Sequence, residues 1–87
     1  MNQELPATSS RILRLPEVKR LVGLGRSTLY AQVASRLFPR PVRLAARSIG
    51  WPLSEIEALI GARIRGLTDD EIRSLVVELE QARRSVA

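Results

Sequence analysis

Apolar and polar positions fall into short runs of differing period along the chain. Residues 11–15 (RILRL) alternate with the period of two that suits a short strand. Pro16 follows at a place where a helix can begin, with Glu17 in its first turn. Val18, Leu21 and Val22 make one apolar stripe, and Gly23 ends that helix. After a turn at Leu24 and Gly25, residues 26–37 (RSTLYAQVASRL) predict a second helix with Leu29, Val33 and Leu37 facing inward. A rotation of ~100° per residue puts Ser27, Thr28, Ala31 and Ser35 on the far side. That side is small and polar, where a merely solvated helix would carry Glu and Lys. Pro39 and Pro41 break the pattern.

Residues 41–45 (PVRLA) and 47–51 (RSIGW) alternate about a turn at Ala46, which predicts a two-stranded hairpin. The alternation points Arg43 away from Val42 and Leu44. Ser54 and Glu57, just after Pro52, have the spacing of a capping box for a third helix. Its stripe is Ile56, Leu59, Ile60 and Ile64, and Gly66 closes it. Thr68 and Glu71 form a second capping box, and Asp69 and Asp70 join them at the positive end of a fourth helix over 69–84. Its stripe, Ile72, Leu75, Val76 and Leu79, is expected to fold back onto the third helix, with packing against a neighbouring molecule as the alternative.

Two short helices joined by a Gly-containing turn with an apolar residue in it are the helix-turn-helix pattern. A basic hairpin directly after the second helix reads as a wing. The expected fold is therefore mainly α with a small β-hairpin: a winged helix-turn-helix followed by two C-terminal helices. Residues 1–10, polar and containing Pro6, read as a flexible N-terminal arm. Residues 11–66 read as the DNA-binding domain, and 67–87 as a C-terminal helix for packing or oligomerisation.

Charge sharpens this picture. The 87 residues carry a net charge of +5. Residues 1–52 hold nine basic groups against two acids, whereas residues 53–87 hold five against seven. The front is cationic and the back is not. Thirteen of the 14 basic groups are Arg, whose planar fork suits phosphates and guanine edges. Composition also narrows the chemistry. There is no Cys and no His, which excludes disulfides, thiolate nucleophiles, imidazole acid–base catalysis and zinc sites built on those residues. Lys19 is the single Lys, so no ordinary nucleophile–base pair can be assembled, and the chain is not expected to be an enzyme. No catalytic residue, metal or cofactor is expected. Capping accounts for Asp69, Asp70 and Glu71 without a cation. No apolar run reaches the ~18–20 residues of a membrane span, and no signal peptide is evident. A cytoplasmic, nucleoid-associated protein with no membrane partner is expected.

Candidate contacts with DNA are Arg26, Ser27 and Thr28, at a helix N-terminus whose free N–H groups favour a phosphate or a base edge. Tyr30 either hydrogen-bonds a phosphate or packs its ring on the flank of the core. Arg40, Arg43 and Arg47 lie on the hairpin or at its base, suited to phosphates or the minor groove. Trp51 is expected in the core, because aromatic residues are only 3% of the chain and a single-strand binder needs repeated rings.

LPEV (Leu15 to Val18), GLGRSTLY (Gly23 to Tyr30), FPRPVRL (Phe38 to Leu44), RSIGW (Arg47 to Trp51) and SEIE (Ser54 to Glu57) occur here in series. In this the chain resembles the AlpA family of small phage-type regulators, related to the excisionases and more distantly to the DNA-binding domains of MerR regulators. Arg36 and Ala45 stand where that family commonly has Gly, Leu59 where it commonly has Trp, and Ala31 and Ala34 where it often has basic residues. The resemblance implies a winged helix-turn-helix on double-stranded DNA, in a mobile element, acting as a transcriptional regulator or as an excisionase (recombination directionality factor). Several copies would bind head to tail, bend the duplex and present it to an integrase or RNA polymerase. The alternative is an interaction module whose acidic back half binds one of those proteins without DNA.

Overall fold

A computed structural model describes residues 11–85. The expected arm, residues 1–10, lies outside them. The elements are β1 (Ile12–Leu13), α1 (Leu15–Val22), α2 (Arg26–Ala34), β2 (Val42–Ala45), β3 (Ser48–Pro52), α3 (Leu53–Ile64), α4 (Asp69–Ala82) and a 3₁₀ turn, Arg83–Ser85. The chain is mainly helical with one small antiparallel sheet, an arrangement compatible with a winged helix-turn-helix.

The sheet has three strands, in the order β1-β3-β2. The hairpin expected from the alternation is present, with Arg43 opposite Ile49 and an irregularity between Arg43 and Ala45. It is extended by β1, where Ile12 pairs with Pro52 and Leu13 with Trp51. This close pairing needs a glycine. A Cβ at Gly50 would lie 2.5 Å from the Ile12 side chain and 2.8 Å from the Leu13 carbonyl oxygen.

One cluster forms the core. Leu13, Val18, Leu29, Phe38, Trp51, Ile56, Leu59, Ala62, Ile72 and Val76 are all buried in it. Trp51 is fully enclosed. Its indole N–H donates to the Pro39 carbonyl at 2.8 Å, and Phe38 meets its ring edge-on at 6.0 Å between centroids. Ile72 and Val76 join the cluster from α4, so that helix packs on its own chain.

Three local expectations fail for identifiable reasons. First, Ser54 does not cap α3. The helix starts one residue earlier, at Leu53, with extended Pro52 before it and no side-chain cap. The Leu53 N–H is already satisfied by the Arg11 carbonyl at 2.8 Å, so the neighbouring strand does the work of a cap. Second, α2 stops at Ala34 rather than Leu37. Arg36 adopts φ 66°, in the left-handed region. Its N–H donates to the Val33 carbonyl and the Leu37 N–H to that of Gln32. This paired pattern terminates helices and usually places Gly at the left-handed position. Gly66 fills the same position after α3, at φ 80°, with the same two bonds to Arg63 and Ala62. Third, Leu21 and Ile64 are not core. They are 52% and 81% exposed, because each lies beyond the edge of the stripe its helix buries. The capping box at Thr68 forms as expected, with Thr68 accepting from the Glu71 N–H and Glu71 accepting from the Thr68 N–H.

Candidate nucleic-acid interface

The first turn of α2 has no side-chain cap. Its N-cap is Gly25, which has no side chain to offer, and no acidic residue lies in that turn. The N–H groups of Arg26, Ser27 and Thr28 therefore point forward from the helix without a side-chain acceptor. The three side chains are exposed, and none hydrogen-bonds to another described residue. The contrast with α4 is direct, since Thr68 and Glu71 there neutralise the end of the helix that Asp69 and Asp70 also face. A helix N-terminus carries a partial positive charge, and at α2 no side chain among the described residues answers it.

Only Leu29 of the nine residues of α2 is buried. Ala31 and Ser35, expected on the far side with Ser27 and Thr28, are likewise exposed. Tyr30 is half-buried and packs against the core, and the Arg26 guanidinium lies 5.7 Å from its ring centroid. Arg26 and Tyr30 are thus brought together at the leading end of the helix.

The hairpin presents Arg43 and Arg47, both exposed, Arg43 on β2 and Arg47 in the turn. Arg14 braces this sheet from the start of α1, its Nε donating to the Ile49 carbonyl at 2.9 Å. Arg40 behaves differently. Its Nε and Nη2 both donate to Glu80 Oε1, at 3.2 and 3.0 Å. The structure therefore places six of the seven expected residues on α2 and the hairpin, and ties the seventh to α4.

Sequence reading missed the cluster at the base of the hairpin. Glu55 is 5% exposed and accepts two bonds from Arg83, at 2.8 and 2.7 Å. Arg83 also donates to the Arg40 carbonyl at 2.6 Å. Its hydrogen bond to Glu55 raises the already high pKa of Arg83, against the opposing effect of burial. Burial alone would raise the pKa of Glu80, but the backbone N–H and guanidinium of Arg40, with nearby Arg83, outweigh it and leave the carboxyl below its ordinary value. These partners are 28 to 43 residues apart, and no local pattern marks them.

The family model for Prophage CP4-57 regulatory protein (AlpA) matches residues 11–64, from β1 to the end of α3. The chain belongs to the AlpA family. It is also similar to ORF88, an uncharacterized protein of Enterobacteria phage P4. The two are 42% identical over 59 residues, covering 68% of this chain and 67% of the relative. AlpA is a regulatory family of prophage origin rather than an enzyme family. The match spans α1, α2, the hairpin and α3 and leaves α4 outside it. Among the described residues, no helix is long and apolar enough to cross a membrane.

Proposed function

We propose that this AlpA-family chain binds double-stranded DNA sequence-selectively, as a regulator carried by a mobile element. The N-terminus of α2 carries the reading: Arg26, Ser27 and Thr28 are exposed, their side chains without hydrogen-bond partners among the described residues, and free of any acid in the same turn. In this reading α2 enters the major groove by that end, Ser27 and Thr28 meet base edges or phosphates, and Arg26 with Tyr30 flanks them. Arg43 and Arg47 follow the backbone or the adjacent minor groove. One such module offers an interface of roughly 600–1,000 Å². Tight binding then calls for several copies side by side, bending the duplex for an integrase in excision or for RNA polymerase in transcription.

The test is binding to labelled duplexes of increasing length, including DNA flanking the gene, at several salt concentrations. Affinity should fall steeply with salt, as counterions are released. A ladder of complexes growing with length supports an array of copies. Ser27→Ala and Thr28→Ala should change the preference between sequences. Arg43→Gln and Arg47→Gln should weaken all duplexes alike and lower the salt slope by about one each. Absence of duplex binding at low salt would overturn the proposal and leave the acidic C-terminal half as a protein-binding surface.

A further inference from the structure

The segment Pro39-Arg40-Pro41 carries the chain from α2 into the hairpin. Proline has no N–H, so the three residues own one backbone donor between them, that of Arg40. That donor goes to Glu80 Oε2 at 2.9 Å. The Arg40 carbonyl accepts from Arg83 at 2.6 Å, and the Pro39 carbonyl accepts from Trp51 at 2.8 Å. Side chains distant in sequence therefore hold this segment by its backbone. Glu80 does so with a side chain only 11% exposed, and Arg83 is held in turn by buried Glu55. Glu80 and Arg83 both lie beyond residue 64, where the family match ends.

We propose that Glu80 and Arg83 are positioning residues for the hairpin, and that Arg40 is the strut they grip rather than a contact to DNA. The end of α4 thereby becomes a required part of the wing. What the wing is for rests on the DNA-binding reading, but its immobilisation is a property of the free chain. The Arg40 guanidinium is 70% exposed and shares one carboxylate oxygen between two of its nitrogens. An ion pair so open to water is weak by itself. The backbone bonds give the clamp its hold, because Arg40 N–H has no second acceptor among the described residues.

Hydrogen exchange of the full-length free protein tests the clamp without DNA. Glu80→Ala should speed exchange of the hairpin amides about tenfold or more, the factor expected on losing one hydrogen bond to a charged group. The α2 amides should be unchanged. Glu80→Gln, which keeps an acceptor for the Arg40 N–H, should restore most of the protection. Glu78→Ala removes an exposed acid of the same helix and should leave the hairpin as it was.

On duplex DNA, Glu80→Ala should bind several-fold more weakly than Glu78→Ala, although the two proteins carry the same net charge. Arg40→Gln, which keeps both gripped backbone groups, should leave the salt slope unchanged. Unchanged hairpin exchange in Glu80→Ala would overturn the proposal. So would a salt slope lowered by about one in Arg40→Gln, the mark of a lost phosphate contact. If the wild-type chain binds no duplex while Glu80→Ala still loosens the hairpin, the DNA reading fails and the clamp stands.

Discussion

Replacing Arg83 by Leu should cost about 3–5 kcal/mol of folding stability at pH 7, the cost of breaking a buried ion pair. Arg83 gives Glu55 two hydrogen bonds, at 2.8 and 2.7 Å, and Arg40 a third. Glu55 is 5% exposed and has no other cation within bonding distance among the described residues. Removing one partner of a buried pair typically costs ~3–5 kcal/mol, because the other charge stays behind. The lost bond to the Arg40 carbonyl adds up to ~1 kcal/mol, which water at this exposed position partly offsets.

Urea unfolding followed by the fluorescence of Trp51, the single tryptophan, reads the effect. For a domain of this size, ~3 kcal/mol corresponds to a melting temperature lower by roughly 12–24 °C. Arg84→Leu, at the exposed neighbouring position, should stay within about 0.5 kcal/mol of wild type. A loss below ~1 kcal/mol at pH 7 would refute the picture of a buried, mutually dependent pair, since such pairs break at ~3–5 kcal/mol.

Arg36→Gly should stabilise the chain by about 0.5–1 kcal/mol, seen as a higher urea midpoint, because a left-handed residue with a Cβ is strained and glycine there is not. No change would mean that the added freedom of the unfolded chain cancels the relief. Gly50→Ala should destabilise by roughly 1–3 kcal/mol, since the new methyl overlaps Ile12 and the Leu13 carbonyl; a wild-type melting temperature would show that β1 yields without cost. The lowered pKa of Glu80 predicts stability that is fully present above its ordinary value of 4.5 and is lost as pH falls through the lowered one. Wild type should therefore lose stability more steeply than Glu80→Ala on acidification below pH 4.5, and parallel curves would contradict the Arg40 pairing as its cause.

What could be read from the sequence was what is written locally. The turn around Gly23 and Gly25, the outward Arg43 and the box at Thr68 each depend on residues a few positions apart. The false box at Ser54 is instructive for the same reason. Its spacing was right, but the Arg11 carbonyl, more than forty residues upstream, had already taken the first donor of α3. Leu21 and Ile64 were misplaced because a stripe gives the direction of a buried face and not its width. Arg36 could be located only as a departure from a family habit, and its strain became visible once φ was known. The ties of Arg40 to Glu80 and of Arg83 to Glu55 had no signal, since exposed and buried charges are spelled with the same letters. The polar first turn of α2, by contrast, was legible from its composition, and the structure leaves those three residues exposed.

Leu29 is the single fully buried residue of α2, Tyr30 and Val33 pack against the core beside it, and at the trailing end Arg73 donates to the Ser35 carbonyl at 3.0 Å. Ser27, Thr28 and Ala31 can consequently be exchanged with little effect on the core. Under the proposed DNA-binding function, a lineage that follows a shifting target, or a laboratory library aimed at a new one, can draw variation from these positions while Leu29 and Arg73 keep the helix in place. On that proposal, folding and target choice are written in nearly separate alphabets, which lets one drift while the other stays fixed.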